Sequence, residues 1–387
     1  MRDEEERARR TAVSRVLAGE PVAKVAEELR RTERWVRKWM SRYDSGNEDW
    51  AASLSRAPHR QASRTPGGTE RLVVRIRDRL MADDWAQVGA VAIAWELEKL
   101  GVRPPAVWTI DRILRRAGVP KRRARTPYVP KGTPYPGGRG LPTPNAVHQL
   151  DLVGPRHLEG GVPFYALNGV DVGRRRAGIE ILTSKDEHQV SEGLARLWSR
   201  MGLPKVAQFD NGQTIAGRGH RLALPLRTCL ALGVRVRLIP FGEPWRNAVV
   251  EHFNDTFDKR FFRNERFRSR VHLAERAAAF EVFHNTHHRY SALKGATPAE
   301  WEYRLDFSPR LPERHFEPPS SLPRRGRIEF IRLIRSDRTL KLLAASSLTV
   351  PRELAHRYVT AVLHVRTERL VITSDGFSRE LPFPLSP

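Results

Sequence analysis

The stretch HQLDLVG, residues 148–154, places the carboxylate of Asp151 inside an apolar run. A charge is costly in a buried strand unless something compensates it. The stretch VAQFDNG, residues 206–212, repeats the pattern, because a short apolar strand runs into Asp210 just before an Asn-Gly turn. Each strand could therefore deliver its aspartate to the edge of a sheet.

A third carboxylate, Glu251, lies on a segment whose apolar residues have helical spacing. These residues predict one buried stripe: Val250, Phe253, Phe257 and Phe261. The polar face next to Glu251 carries Asn247, Asn254, Asp255 and Asp258. A helix lying across the sheet would bring Glu251 to the two strand aspartates. Three clustered carboxylates would raise each other's pKa, so the cluster makes sense chiefly as a site for hard metal ions.

Such a site indicates phosphoryl transfer. Two Mg²⁺ ions about 3.5 to 4 Å apart can activate a water or a 3′-hydroxyl and stabilise the leaving oxygen, without a covalent protein intermediate. Taken singly, each acid has an ordinary alternative role, as a strand-end or turn residue for the aspartates and as a solvated helix residue for Glu251. Asp171 also ends a strand, but its surroundings, GVDVGRRR, match a turn more than a ligand motif.

The segments around these acids predict an α/β core. Strands are expected at residues 147–153, 164–172, 177–183, 206–209 and 234–239. Helices are expected at residues 187–201 and 222–232, and a long helix is expected from about Asn247. Three hairpin-like strands followed by alternating helices and strands describe a mixed five-stranded sheet covered by helices.

Charge and composition indicate a nucleic-acid partner. The chain of 387 residues has 68 Lys and Arg against 44 Asp and Glu, a net charge of +24 at pH 7, and such an excess attracts polyanions. A chain of this length is expected to hold several domains. It lacks the long apolar run of a spanning helix and a signal-peptide-like start, so an intracellular protein with no membrane partner is expected. Its single cysteine, Cys229, excludes an internal disulfide and a thiolate zinc site.

Residues 1–60 predict a helix-turn-helix DNA-binding domain. Apolar residues recur at helical spacing on both sides of a break near Gly19, and Thr32 can cap a third helix over residues 33–43. The residues that this third helix would turn toward DNA are Arg34, Arg37 and Lys38. A three-helix bundle with a solvated basic face is the alternative.

Residues 61–118 form a second helical block with a similar outline. Its last helix begins at Trp108 and Thr109 and carries three candidate DNA contacts, Arg112, Arg115 and Arg116. Two tandem helix-turn-helix units would lengthen the DNA site that one chain reads. No residue-level repeat relates the two blocks.

Residues 119–145 are a basic linker, rich in Pro and Gly, with six cations and no acid. Its charge would let it follow phosphates, and its candidate DNA contacts are Lys121, Arg122 and Arg123. An ordinary solvated linker is the alternative.

The C-terminal segment, residues 308–387, has a different pattern. It begins with a Pro-rich connection and continues with short strands at residues 327–334, 339–343, 358–366 and 369–373. Short strands separated by turn signals predict a small β-barrel.

With these motifs the chain resembles the retroviral-integrase-like DDE transposases of bacterial insertion sequences. The three acids occur in the family's order, with 58 residues between the two aspartates and 40 between Asp210 and Glu251. The second spacing exceeds the family's usual one, so a surface-loop insertion is expected at residues 214–221. The stretches that also match are FDNG at 209–212, PWRNAVVE at 244–251 and FHNTHHRYSALKGATPAEW at 283–301. The last stretch resembles the family's closing segment, in which Arg-Pro-His-Ser precedes a Thr-Pro pair. Here His288, Arg289, Tyr290 and Ser291 stand in that place, so the Pro is missing and the role of the segment is the least defined.

The resemblance implies a ribonuclease-H-like catalytic core over residues 146–307, between the helix-turn-helix units and the β-barrel. It implies that Asp151, Asp210 and Glu251 are catalytic and hold two Mg²⁺ ions, which Mn²⁺ could replace. The residues expected to shape the active-site edge are Asn211, Gly212 and Asn247, and those expected to contact DNA include Arg246 and Lys259.

The function expected from this resemblance is that of a transposase, which cuts the 3′ ends of an insertion sequence and joins them to target DNA. Its partners would be element ends, target DNA and further copies of the chain assembled on DNA, in the bacterial cytoplasm at the nucleoid. One alternative is a catalytically silent, domesticated relative that only binds a specific DNA sequence. Another is a nuclease of the same fold, which would cut DNA but never join it.

Overall fold

The computed structural model describes residues 2–44, 46, 48–53, 65–119, 135–136, 142–313 and 316–386. They divide into two compact units, Met1–Thr65 and Pro66–Pro387. Three candidate DNA contacts of the basic linker, Lys121, Arg122 and Arg123, lie outside the described residues. No helix in the described part of the chain is long and apolar enough to cross a membrane.

The first unit contains the three helices that the sequence predicts. They are α1 Arg2–Leu17, α2 Val22–Glu28 and α3 Glu33–Asp44. Their shared apolar core consists of Ala12, Val25, Ala26 and Val36. Thr32 caps α3, because its Oγ1 accepts the backbone N–H of Trp35 at 3.2 Å. The side chains of Arg34, Arg37 and Lys38 are exposed on α3.

The second unit begins with a helical block. It consists of α4 Gly67–Met81, α5 Ala90–Lys99 and α6 Val107–Arg116. The block has its own apolar core, made of Val73, Ile76, Ala90, Ile93, Leu97, Ile110, Ile113 and Leu114. Arg112, Arg115 and Arg116 are exposed on α6, and Arg116 pairs with Glu70 at 2.7 Å.

The loop between α4 and α5 attaches this block to the rest of the unit. The indole of Trp85 donates to Glu265 at 2.6 Å, and its ring packs edge-on against Phe280 with centroids 5.5 Å apart. Gln87 exchanges two hydrogen bonds with the backbone of Arg289. Because aromatic burial and paired polar groups hold this contact, the block is part of one folded unit with the sheet that follows.

Thirteen strands follow in the described residues. In chain order they are β1 Val147–His157, β2 Pro163–Asp171, β3 Ala177–Leu182, β4 Val206–Phe209, β5 Gly217–Arg218, β6 Arg221–Leu222, β7 Arg235–Leu238, β8 Arg327–Leu333, β9 Thr339–Lys341, β10 Ser347–Thr349, β11 Tyr358–His364, β12 Arg369–Ser374 and β13 Phe377–Pro382. Nine of them form one sheet in the order β3-β2-β1-β4-β7-β8-β11-β12-β13. Strands β1, β4, β7 and β8 run parallel, and the strands on either side of them pair antiparallel.

Helices cover both faces of this sheet. They are α7 Glu187–Met201, α8 Gln213–Ala216, α9 Leu224–Ala231, α10 Ala248–Thr256, α11 Arg270–His287 and α12 Pro298–Arg304. A π-helical turn, Phe257–Phe262, continues α10 and completes the predicted buried stripe of Val250, Phe253, Phe257 and Phe261. Helices α7 and α9 pack on one apolar cluster and α10 and α11 on another. The side-chain alternation of β2 serves both, because Leu167 joins the first cluster and Phe164 and Ala166 join the second.

Two expectations about the sheet need correction. The predicted strands of the core are present, but the sheet has nine strands and not five. The small C-terminal β-barrel is not confirmed, because β8, β11, β12 and β13 extend the core sheet beyond β7. Strand β8 pairs parallel with β7, where Val236 lies opposite Ile328. An unpaired β7 would expose a row of backbone N–H and C=O groups, and β8 satisfies them.

The insertion at residues 214–221 is also more than a surface loop. It forms the end of α8 and the β5–β6 hairpin, and Ile215 is buried in the main core. The backbone N–H of Gly219 donates to Ala344 at 2.6 Å, and the ring of His220 stacks on Phe383 with centroids 4.5 Å apart. The insertion leaves the sheet intact, as expected, but it packs against the C-terminal strands, which the sequence pattern does not specify.

Candidate active site

The register of β1 and β4 places the two strand aspartates at one level of the sheet. Gln149 lies opposite Gln208 in the last paired row of the two parallel strands. Asp151 and Asp210 each follow two residues later, and side chains of an extended chain alternate between faces. The aspartates are therefore expected to lie side by side on the face that carries the two glutamines. Asp151 is half-buried and Asp210 is exposed.

Gln149 fixes the start of the helix that carries the third acid. Its Oε1 accepts the backbone N–H groups of Val249 at 2.8 Å and Val250 at 3.2 Å. These are first-turn donors of α10, which have no acceptor within their own helix. Glu251 is also in this first turn, so a side chain two residues before Asp151 sets the position of Glu251.

Gln208 and Asn247 attach the same helix start to the sheet. Gln208 Nε2 donates to the carbonyl oxygen of Arg246 at 3.0 Å. Asn247, which is buried, donates through Nδ2 to the carbonyl oxygen of Leu150 at 3.1 Å. Asn247 therefore holds the start of α10 against β1, the strand that carries Asp151.

The three acids act on one another electrostatically. Burial raises the pKa of Asp151, and the charge of Asp210 raises it further, while a hydrogen bond from Asn254 lowers it. Burial also raises the pKa of Glu251, with contributions from the charges of Asp151 and Asp210. The charges of both aspartates therefore act on the Glu251 carboxylate.

No lysine or arginine within the described ranges pairs with any of these three acids. The neighbouring acids behave differently, because Asp255 pairs with Lys259 at 2.6 Å and Asp258 pairs with Arg156 at 3.0 Å. The whole chain carries a net charge of +24. Three mutually repelling carboxylates without a basic partner are a local exception in a strongly basic protein.

A row of amides orients Asp151. Asn254 Nδ2 donates to Asp151 Oδ2 at 2.6 Å, and Asn168 Nδ2 donates to Asn254 Oδ1 at 2.8 Å. Asn168 is buried and lies opposite Asp151 in the β1–β2 ladder. In the sequence Asn254 is recognisable only as a polar neighbour of Glu251, and Asn168 gives no local signal, because its position depends on cross-strand register.

The turn after β4 holds Asp210. Its Oδ1 accepts the backbone N–H of Gly212 at 3.0 Å. Asn211 donates through Nδ2 to the carbonyl oxygen of Ile239 at 2.7 Å and accepts at Oδ1 from Arg332 at 2.7 Å. Asn211 and Gly212 therefore shape the backbone beside Asp210.

Arg332 is a positioning residue that none of the sequence motifs predicts. It lies on β8, is 3% exposed, and its guanidinium donates to the carbonyl oxygens of Leu238, Ile239, Ile331, Lys341 and Leu342. Burial lowers its pKa to about 9, which leaves it protonated at neutral pH. An arginine inside the apolar strand RIEFIRL was an available signal, of the same kind as the acid in HQLDLVG.

The candidate DNA contacts near the site differ in their surroundings. Arg246 lies inside a polar cluster, where it donates to Glu243 at 3.0 Å and to the hydroxyl of Tyr358 at 3.1 Å and covers the ring of Tyr135. Lys259 is exposed and pairs with Asp255. Lys259 is accessible to a ligand, whereas Arg246 would first have to leave its internal partners.

The three acids offer the donor atoms that a hard metal ion needs, but their side chains are too far apart in this structure to hold one. In the part of the chain that the structure describes, no three His, Cys, Asp or Glu side chains are grouped tightly enough to hold a metal ion. The three carboxylates offer only oxygen donors, which Mg²⁺ prefers. Glu251 is exposed and accepts no hydrogen bond from a described residue, so a rotamer change can bring it nearer to the aspartates.

Asp171, the competing strand-end acid, has a structural role. It is fully buried and accepts from the backbone N–H groups of Asn145 at 2.9 Å and Gly173 at 2.8 Å. It also pairs with Arg174 at 2.5 Å. Its preference for a turn, expected from the surrounding sequence, agrees with these contacts.

Comparisons with known proteins confirm the family resemblance. Residues 232–298 match the family model "Integrase core domain", and residues 2–49 match the family model "Homeodomain-like domain". The first match contains Glu251 but neither Asp151 nor Asp210. A Burkholderia multivorans protein described as "Insertion element IS407 uncharacterized 31.7 kDa protein" is 28% identical over 201 residues, which are 50% of this chain and 67% of that protein.

Solved integrase structures are similar at low identity. The HTLV-2 integrase catalytic core domain in complex with magnesium is 13% identical, with a TM-score of 0.33, and the alignment covers 42% of this chain and 98% of that one. The simian T-cell lymphotropic virus intasome chain is 15% identical, with a TM-score of 0.37 and coverages of 77% and 93%.

Proposed function

We propose that this chain is a transposase of an insertion element, which cuts DNA phosphodiesters at the element's 3′ ends and joins the freed ends to target DNA. The observation that carries the proposal is the set of Asp151, Asp210 and Glu251. The charge of Asp210 raises the pKa of Asp151, and the charges of both aspartates raise the pKa of Glu251. None of the three acids has a basic partner among the described residues, although the chain has a net charge of +24. A hard divalent cation would compensate such a set.

Each part of the site has a task in this reaction. Asp151 and Asp210 would hold two Mg²⁺ ions, or Mn²⁺ in their place, and Glu251 would complete the second site. When bound, such ions activate a water or a 3′-hydroxyl and stabilise the leaving oxygen. Asn254 keeps the Asp151 carboxylate in one orientation, and Gln149 keeps Glu251 at the sheet edge by capping α10.

The helices outside the catalytic core would bind DNA. The homeodomain-like match covers α1–α3, and the exposed cations of α3 and α6 are the proposed contacts: Arg34, Arg37, Lys38, Arg112, Arg115 and Arg116. Arginine and lysine on an exposed helix can contact both phosphates and base edges. Joining two element ends to one target would also require further copies of the chain on the DNA.

The test uses the full chain, Mg²⁺ or Mn²⁺, and labelled DNA that carries the inverted repeats flanking the reading frame. Wild type is expected to nick and join this DNA, and Asp151→Asn, Asp210→Asn and Glu251→Gln are each expected to reduce both steps below detection. Asp255→Asn is the matched control, because Asp255 lies on the same helix and pairs with Lys259. It should retain activity.

Three results separate the alternatives. Tight DNA binding without any nicking by wild type would identify a DNA-binding regulator and overturn the proposal. Nicking without joining would identify a nuclease. Full activity in any of the three carboxylate variants would remove that residue from the catalytic set.

A further inference from the structure

A basic cavity lies at the opposite end of the parallel strands from the three acids. Its volume is about 380 Å³, and it is lined by Arg235, Arg325, Gly326, Arg327, His364, Arg366 and Thr367. Four of these residues are arginines, all four are exposed, and none of the lining residues is acidic. The cavity therefore combines a concave surface with a high density of positive charge.

The strand register sets basic side chains next to one another in this cavity. Arg327 on β8 lies opposite His364 on β11. Val236 on β7 lies opposite Ile328 on β8, so the preceding residues, Arg235 and Arg327, are neighbours as well. Like charges on adjacent strands destabilise a sheet. The repulsion between these side chains destabilises the sheet, and a bound anion would remove that repulsion.

The next row on the same sheet face shows how the protein treats an arginine that is only structural. Arg237 lies opposite Glu329 and donates to it at 2.7 Å. In contrast, none of the four cavity arginines pairs with an acid from the described residues. The row of Arg237 and Glu329 is therefore neutral, whereas the adjacent row of Arg235 and Arg327 keeps its positive charge.

The cavity and the acids are on opposite ends of the parallel strands. Arg235 begins β7 beside Val206 at the start of β4, whereas Asp210 follows the end of β4. Four residues of extended chain separate these levels by about 13 Å. The backbone N–H of Arg235 donates to the carbonyl oxygen of Lys205. Lys205 is exposed and pairs with no acid among the described residues, so it adds a further cation next to the cavity.

We infer that the cavity formed by Arg235, Arg325, Arg327 and Arg366 binds the phosphodiester backbone of DNA at phosphates distant from the one that is cut. The inference rests on the proposed function for its DNA partner. Arginine suits this ligand, because its planar guanidinium can donate two hydrogen bonds to one phosphate. The exposed arginines come from three separate segments, which suits an extended polyanion more than a small enclosed ligand. DNA presents a charge about every 1.7 Å along its axis, so a duplex near the acids has phosphates within reach of the cavity.

The experiment measures DNA affinity as a function of salt concentration, with the full chain and without divalent metal. The variant is Arg325→Gln combined with Arg366→Gln, since both residues lie in turns outside the strands and their loss does not disturb the sheet. The control is Arg352→Gln combined with Arg379→Gln, which removes the same charge from two exposed arginines outside the cavity. Circular dichroism and thermal melting verify that both proteins are folded.

The slope of log K against log salt is expected to become shallower by about 2 in the cavity variant, because each lost phosphate contact contributes about 0.9. The control is expected to keep the wild-type slope. Equal slopes in the two variants would overturn the inference. So would a titration in which inorganic phosphate stabilises wild type but not the cavity variant while DNA binding is unchanged, since the cavity would then take a small oxyanion.

These outcomes are independent of those for the proposed function. Nicking and joining by wild type together with an unchanged slope in the cavity variant would remove only the cavity inference. A shallower slope together with no cutting would leave the cavity as a DNA site and remove only the transposase.

Discussion

At the residue scale, the carboxylate of Asp151 is expected to destabilise the metal-free protein. Its pKa is raised in the folded state by burial and by the charge of Asp210. A raised carboxyl pKa means that the folded protein binds the proton more tightly than the unfolded chain does, so stability falls as pH rises through that pKa. Asp151→Asn is therefore expected to raise the melting temperature of metal-free protein at neutral pH, by on the order of 2 °C, while cutting is lost.

The check is thermal melting of wild type and Asp151→Asn from acidic to neutral pH. The difference should be largest at neutral pH and should shrink as pH falls and Asp151 becomes protonated. Asp186→Asn is the matched control with the opposite sign, because hydrogen bonds from Ser184 and from the N–H of Gln189 lower the pKa of Asp186. That variant should lose stability at neutral pH. A destabilised Asp151→Asn protein would show that the acid is compensated without metal.

At the element scale, α10 depends on a side chain from another element. Gln149 accepts two first-turn N–H groups of this helix, and a lost cap costs about 1–2 kcal/mol. Gln149→Ala is expected to lower the free energy of unfolding by that amount in chemical denaturation. It is also expected to reduce DNA cutting by more than this loss of stability explains, because Glu251 loses its fixed position. Gln189→Ala on α7 is the control, with little expected effect on cutting. Normal cutting by Gln149→Ala would contradict the positioning role.

Local sequence was sufficient for the elements and insufficient for the contacts between them. The apolar spacing of Val250, Phe253 and Phe261 specifies a buried helix face, and that face is buried. The role of Gln149 depends instead on which strand lies beside β1 and at which register. The alternation Gln149, Asp151 and Gln208, Asp210 contains part of this information, since it predicts two side chains of each strand on one face.

At the scale of the whole molecule, the same limit explains the C-terminal strands. Residues such as Ile328 and Phe330 alternate as a strand should, and β8 forms where the sequence predicts a strand. The alternation does not specify a partner, so a small barrel and an extension of the core sheet have the same local pattern. Val236 on β7 and its partner Ile328 on β8 are about 90 positions apart in the sequence, a distance over which local patterns carry no signal.

The extension makes the C-terminal strands part of the sheet that carries Asp151. Ile328, Phe330 and Leu363 belong to the same apolar cluster as Leu150 and Phe209, and Arg332 on β8 reaches the turn beside Asp210 through Asn211. Removing residues 324–387 would expose one side of this cluster and leave β7 without its outer partner.

A chain ending at Pro323 is therefore expected to lose its cooperative unfolding transition, whereas a chain that begins at Pro66 should keep it, because the first 65 residues form a separate compact unit. Differential scanning calorimetry of the two truncated chains decides this, with DNA cutting as a second readout. If the C-terminal strands formed a separate barrel, the chain ending at Pro323 would keep its cooperative unfolding transition. If the chain 1–323 unfolded in a sharp transition and kept the Asp210 turn intact, the core sheet would be stable with β7 as its edge strand. Strands β8, β11, β12 and β13 would then not be needed for its stability.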